Sequence, residues 1–114
     1  MYEDEDYRTW VDEAIASLPP ELAGRVENVW IEVTDEQPPR PSILGLYRGV
    51  PATRRTTGYV LTLPDRITLY RRPLERLYGH DRDLLAARVR HVVLHELAHH
   101  FGISDERLRE IGAY

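Results

Sequence analysis

The sequence predicts an α+β fold in which a small sheet packs on one long helix. Three features of the 114-residue chain lead to this prediction. Short strand-like apolar segments are confined to the middle of the chain, a helical segment of about 20 residues follows them, and helical patterns begin and end the sequence. We expect a mixed or antiparallel sheet of three to four strands, with N-terminal and C-terminal helices, in one domain over residues 1–114.

The first elements are a helix and a strand. Apolar residues recur at helical spacing over residues 7–18, and the two prolines that follow end the pattern. A short turn over residues 21–24 leads into residues 29–34, where alternate positions are apolar. This alternation predicts a half-buried strand.

The rest of the sheet comes from the middle of the chain. Residues 43–47 form a short apolar segment between turn residues and predict a second strand, and residues 66–71 predict a third. The connection over residues 50–63 is long for so small a domain, which is typical of functional or mobile segments. Residues 59–63 within it are expected to add an edge strand.

Helices are predicted for the last third of the chain. A short helix over residues 73–78 precedes a long one, for which Asp81 is a suitable N-cap and which runs to Phe101. Apolar side chains surround the second half of this long helix, so we expect it to cross the core. Ser104 is the expected cap of a last helix over residues 105–111.

The long helix carries the residues of a metal site in the segment HELAHHFGISD. His95 and His99 are four residues apart on one helix face, so both can reach one ion at about 2.0 to 2.1 Å. Glu96 is rotated by about 100° to the edge of that face, where it can contact a metal-bound water. Gly102 tolerates the left-handed conformation that turns a chain back, which makes Asp105 the natural third ligand.

The pattern H-E-x-x-H-x-x-G-x-x-D has the spacing of the metzincin zinc motif with aspartate in place of the last histidine. Together with LGLY at residues 44–47 and LPDRITLYRRP at residues 63–73, it resembles the small bacterial zincin-like metallopeptidase family over most of residues 40–114. The resemblance implies a minimal zincin-like fold, the same three metal ligands and the same catalytic glutamate.

We therefore predict a zinc-dependent peptidase that holds one Zn²⁺ per chain and acts on a peptide or protein. The metal would activate a water molecule, and Glu96 would act as general base in its attack on an amide carbonyl. In the zincin arrangement that the resemblance implies, an extended substrate pairs with an edge strand, for which residues 43–47 or 59–63 are the candidates.

Composition narrows the other possibilities. A net charge of −4 argues against nucleic-acid binding, and the arginine pairs Arg54–Arg55 and Arg71–Arg72 are more typical of solvated surface. The chain has no cysteine, so neither disulfides nor cysteine-ligated zinc are available. No secretory signal and no apolar stretch of about 20 residues is found, so we expect a soluble cytoplasmic protein without membrane contact.

Three alternatives stay open. His95 and His99 could be hydrogen-bonded core histidines, with Glu96 facing solvent and Asp105 favoured by a helix N-terminus. Zinc could instead stabilise a non-catalytic module that binds a protein partner. A metal-dependent RNA hydrolase is the third, since a related histidine spacing occurs in small bacterial RNA-maturation metalloproteins, but the position of Glu96 favours peptide chemistry.

Further residues have subsidiary expectations. His91 lies on the same helix stripe and is expected to be structural or to support the metal ligands from outside. His100 faces away and is expected to pack or to lie at the rim of the site. Tyr70 and Tyr114 are candidates for oxyanion stabilisation, and Met1 is the only methionine, so no methionine turn lies under the metal.

Overall fold

A computed structural model describes residues 2–49 and 64–111 and confirms the predicted α+β class. Within these residues five helices and three strands follow one another along the chain. They are α1 (Asp4–Ala16), α2 (Pro20–Ala23), β1 (Val29–Thr34), β2 (Gly45–Arg48), β3 (Asp65–Tyr70), α3 (Arg71–Tyr78), α4 (Arg82–Phe101) and α5 (Asp105–Glu110).

The sheet is mixed, with the strand order β1-β3-β2. β3 pairs in parallel with β1 and antiparallel with β2, so the last strand in sequence is the central one. Its central position explains its burial, since Ile67 and Leu69 are fully buried whereas Trp30 on β1 is 58% exposed. Among the described strands, β2 is the edge strand that lies nearest to α4, because α4 contacts β2 and β3.

α4 is the helix around which the other elements pack. It contacts α1, α3, α5 and the strands β2 and β3. Its buried side chains point in nearly all directions, as the sequence predicted, and bury a continuous core with α1 and β3. The α4 members of that core are Leu85, Ala86, Val89, Val92, Val93, Leu94, Leu97, Ala98 and Phe101.

Two N-terminal boundaries differ from the prediction. α1 begins at Asp4, before the apolar stripe, because Glu3 and Asp6 form a reciprocal capping box and three acidic residues fill the first turn. The helix ends at Ala16. The segment predicted as a turn is the short helix α2, which has Pro20 at its first position, where the missing N–H costs nothing.

Of the arginine pair at the start of α3, Arg72 is exposed as the sequence predicted, whereas Arg71 is not. Arg71 is buried and makes ion pairs with Asp4 and, at 2.9 Å, with Asp35, which joins α3 to the start of α1. α3 begins two residues before Pro73, whose ring is tolerated in a first helical turn. The Arg54–Arg55 pair and the edge strand predicted over residues 59–63 lie outside the described residues.

Among the described helices, none combines the length and the apolar character needed to cross a lipid bilayer.

Two neighbouring leucines of α4 give a test of the packing. Leu85 is fully buried whereas Leu84 is 41% exposed. Leu85→Ala is expected to lower the free energy of unfolding by about 2–5 kcal/mol, because it removes apolar contacts and leaves a cavity. Leu84→Ala on the same helix should cost less than about 1 kcal/mol. Denaturant titration of the metal-free protein measures both values, and equal losses would contradict the packing of α4 described above.

Candidate metal centre

The last turns of α4 bring three potential metal ligands together. His95, Glu96 and His99 each offer one ligand atom, and these atoms all lie within 4.8 Å of one another. Atoms that share one zinc ion at about 2.0–2.2 Å lie roughly 3 to 4 Å apart, so small side-chain rotations suffice to bring this group around one ion. His99 is exposed and His95 is half-buried, so the group opens to solvent.

Glu96 is the buried member of the group, with 8% of its surface exposed. Burial raises the pKa of its carboxyl group, and the nearby His95 and His99 and the hydrogen bond from Tyr47 act in the opposite direction. The Tyr47 backbone N–H donates to Glu96 Oε1 at 2.9 Å, and Glu96 Oε2 lies 3.8 Å from His95 Nε2. One carboxylate oxygen is thus held by β2 and the other faces the histidines.

The turn after α4 returns the chain to the site. Gly102 has φ +72° in the left-handed region, and a Cβ there would contact nothing within 4 Å. Its conformation, not lack of space, therefore favours glycine. Ser104 then caps α5 by accepting from the Arg107 N–H at 3.1 Å. As a result the two Asp105 carboxylate oxygens lie 3.0 and 2.9 Å from His95 Nδ1.

The structure thus brings all four predicted site residues to one end of α4. Asp105 contacts His95 and is not part of the group formed by His95, Glu96 and His99 within the described residues. In this arrangement Asp105 orients the His95 ring, and a rotation of its carboxylate would be needed for it to bind the same ion as His99. The ligand role of Asp105 therefore stays a prediction.

A second polar cluster lies behind the histidines. Tyr47 stacks on His99 with ring centres 5.9 Å apart and an interplanar angle of 13°. Its hydroxyl donates to Asp65 Oδ2 at 2.6 Å, and His100 Nδ1 lies 2.6 Å from the same oxygen. His100 Nε2 is 3.2 Å from the Arg25 carbonyl oxygen. We refer to Tyr47, Asp65 and His100 as the tyrosine cluster.

Sequence reasoning missed most of this cluster. His100 was expected to pack or to lie at a rim, whereas its ring binds a carboxylate that is 2% exposed. Asp65 follows a proline at the start of a strand, a position that looks like an ordinary turn residue. Tyr47 and Asp65 both lie in segments that carry the family resemblance, but neither segment indicates that the two residues contact each other.

An apolar groove adjoins the metal centre. It has a volume of about 330 Å³ and lies between α4 and the segment that leads into β2. Its wall includes Ile43, Leu44 and Val92, and His95 and Glu96 also line it. A larger groove of about 490 Å³ lies between α1 and β1, but its described lining contains no histidine. The smaller groove is therefore the one that chemistry at the metal centre could use.

Three further residues were given subsidiary roles by the sequence, namely His91, Tyr70 and Tyr114. His91 also lines the groove, one turn before His95, and burial lowers its pKa. Tyr70 is buried at the end of β3 with 5% of its surface exposed. Tyr114 lies outside the described residues, so its predicted role stays a prediction.

A family model described as zincin-like metallopeptidase matches residues 21–113, which is more than half of the chain. The match includes the four motif residues and the tyrosine cluster. A search of curated proteins found no match.

Proposed function

The chain belongs to the zincin-like metallopeptidase family, and on that premise we propose that it is a zinc-dependent peptidase. His95, His99 and Asp105 are the proposed ligands of one zinc ion, and Glu96 is the proposed general base. The observation that carries the proposal is the group of His95, Glu96 and His99, whose ligand atoms lie within 4.8 Å of one another and in which the Glu96 carboxylate is buried and held by a hydrogen bond.

The donor set suits zinc. Two imidazoles and one carboxylate, with a position left for water, form a common arrangement of catalytic zinc sites. Hard cations such as Mg²⁺ prefer oxygen ligands alone, and the histidines argue against them. Asp105 lies within 3.0 Å of His95 Nδ1, beside the close group, and the proposal requires its carboxylate to rotate toward the ion.

The reaction assigns a separate task to each side chain. A bound zinc ion supplies Lewis acidity and lowers the pKa of a coordinated water toward about 7. Glu96 accepts the proton of the attacking water and returns it to the leaving amine. Burial favours this role, because it raises the pKa of the Glu96 carboxyl and so makes it a stronger proton acceptor than an exposed glutamate. The Tyr47 N–H holds Oε1, so Oε2 keeps a fixed direction toward the histidines.

A peptide fits the surroundings of the metal centre. The Leu44 carbonyl accepts from Tyr70 N–H, so by the alternation of an antiparallel ladder the backbone groups of Gly45 point away from β3. Gly45 also lines the apolar groove. An extended peptide could pair there and place an apolar side chain in the groove beside Glu96. The Tyr47 N–H already donates to Glu96, so it is not available to pair with a peptide on β2.

Metal analysis and a peptide digest test this function together. Freshly purified protein is expected to contain one zinc per chain, and a mixed peptide library should be cleaved. Cleavage should stop when a chelator removes the metal and return when zinc is added back. Fragment identification by mass spectrometry would show whether apolar residues flank the cleaved bond.

Two results would contradict the proposal in different ways. If the protein binds no zinc, His95 and His99 are ordinary hydrogen-bonded histidines of the fold. A protein that binds zinc, loses thermal stability on chelation and cleaves no peptide would be the zinc-stabilised interaction module.

A further inference from the structure

We propose that Tyr47 is a positioning residue of the metal centre, held in place by Asp65 and His100. The inference rests on the proposed function and deepens it, because it assigns a role to residues that bind neither metal nor substrate. It is carried by the juxtaposition of the Tyr47 ring with His99 and of the Tyr47 N–H with Glu96.

Tyr47 contacts two residues of the proposed reaction at once. Its ring lies nearly parallel to that of His99, which is exposed and is otherwise contacted edge-on by the His95 ring at 5.6 Å. Its backbone N–H fixes one oxygen of Glu96. A shift of Tyr47 would therefore change the plane of a metal ligand and the direction of the general base together.

The tyrosine hydroxyl is what fixes the ring. It donates at 2.6 Å to a buried carboxylate at the start of β3, the central strand of the sheet. The carboxylate of Asp65 is in turn bound by His100, the residue next to His99 on α4. Tyr47 thus lies between two consecutive histidine rings, stacked on the first and edge-on to the second at 6.4 Å. The hydrogen bonds of the tyrosine cluster thus connect β2, β3 and the last turn of α4.

Gly49, two residues after Tyr47, leaves room for the tyrosine ring. A Cβ atom built at Gly49 would overlap the hydroxyl and the ring of Tyr47, so a side chain there would displace the ring. Residues that support metal ligands from outside typically change metal affinity about 10- to 100-fold when they are replaced. We expect Tyr47 to act at the lower end of this range, because it supports a ligand by stacking and not by a direct hydrogen bond.

Tyr47→Phe tests the proposal, with Tyr7→Phe as the matched control. Tyr7 also donates its hydroxyl to a carboxylate, Glu75, at 2.9 Å, but it lies on α1. Each variant loses one hydroxyl and one phenol–carboxylate hydrogen bond. Zinc affinity is measured on the folded proteins by competition with a chromophoric chelator, and the absorption spectrum of the cobalt-substituted proteins reports ligand geometry.

Tyr47→Phe is expected to lower zinc affinity about 10-fold or more and to change the cobalt spectrum. Tyr7→Phe should lower the denaturation midpoint and leave both metal readouts as in wild type. Asp65→Asn keeps the volume of the side chain but alters its hydrogen bonding, and it should change zinc affinity and the cobalt spectrum as Tyr47→Phe does. It replaces Tyr47→Phe in the experiment if that variant does not fold.

The outcomes separate this inference from the proposed function. Wild-type zinc binding together with unchanged affinity and spectrum in Tyr47→Phe and Asp65→Asn overturns the positioning role and leaves the peptidase proposal standing. Equal effects of Tyr47→Phe and Tyr7→Phe would also overturn it, since a general loss of stability would then explain both. A wild-type protein without zinc affinity would overturn both proposals.

Discussion

Glu96→Gln is expected to lower the rate of peptide hydrolysis by about 100- to 10,000-fold while the protein still binds one zinc per chain. Glutamine keeps the size of the side chain and an oxygen that can accept from the Tyr47 N–H at the 2.9 Å contact. It cannot take a proton from the attacking water at neutral pH. The loss should therefore fall on kcat, with zinc content measured on the same preparation by elemental analysis.

Glu106→Gln serves as the matched control for this experiment. Glu106 is an exposed glutamate in the first turn of α5, next to Asp105. The same chemical change there should leave the rate within about twofold of wild type, as expected for a surface position. Full activity of Glu96→Gln would rule out its role as general base. A loss of zinc in Glu96→Gln would show instead that Glu96 binds the metal directly.

The sequence was sufficient to predict the part of the site that lies within one stretch of chain. Asp81 caps α4, Gly102 adopts the left-handed conformation and Ser104 caps α5, all as expected. These features depend on contacts within a few residues, so the local pattern contains the necessary information. The four-residue spacing of His95 and His99 likewise needs only helical geometry.

The supporting contacts could not be predicted in the same way. Tyr47 bonds Glu96 across 49 residues of sequence, and Asp65 bonds His100 across 35. Such contacts depend on β3 lying between β1 and β2, an order that no local pattern specifies. The fold class was predictable because burial periodicity reports element type, whereas strand order depends on how whole elements pack.

The same limit applies to the start of α1. The apolar stripe over residues 7–18 shows which face of the helix is buried, and Tyr7, Trp10, Val11 and Ala14 are indeed buried. It does not show where the helix begins. That boundary is set by the capping box between Glu3 and Asp6, outside the apolar pattern.

Asp105→Ala is expected to lower zinc affinity by more than about 100-fold, close to the effect of His99→Ala. A direct ligand should cost more than a residue that only orients a ligand, for which losses of about 10- to 100-fold are typical. Asp105 lies at hydrogen-bond distance from His95 Nδ1, which is the contact of an orienting residue, whereas the ligand role requires its carboxylate to rotate. The zinc affinity of the folded variants is measured by chelator competition. The size of the loss distinguishes a direct ligand from a residue that orients a ligand.

Glu106→Ala is the control, because it removes a neighbouring acidic residue from the same first turn of α5. Like Asp105→Ala, it should remove the stabilisation of about 0.3–1 kcal/mol that an acidic residue gives a helix N-terminus, but it should leave zinc affinity unchanged. A loss of only 10- to 100-fold in Asp105→Ala, with a larger one in His99→Ala, would make Asp105 the partner that orients His95. Among the residues that the structure describes, Glu96, the remaining member of the close group, would then be the candidate for the third ligand. Because a glutamate bound to zinc cannot also serve as the free base, that result would exclude the mechanism proposed for this site.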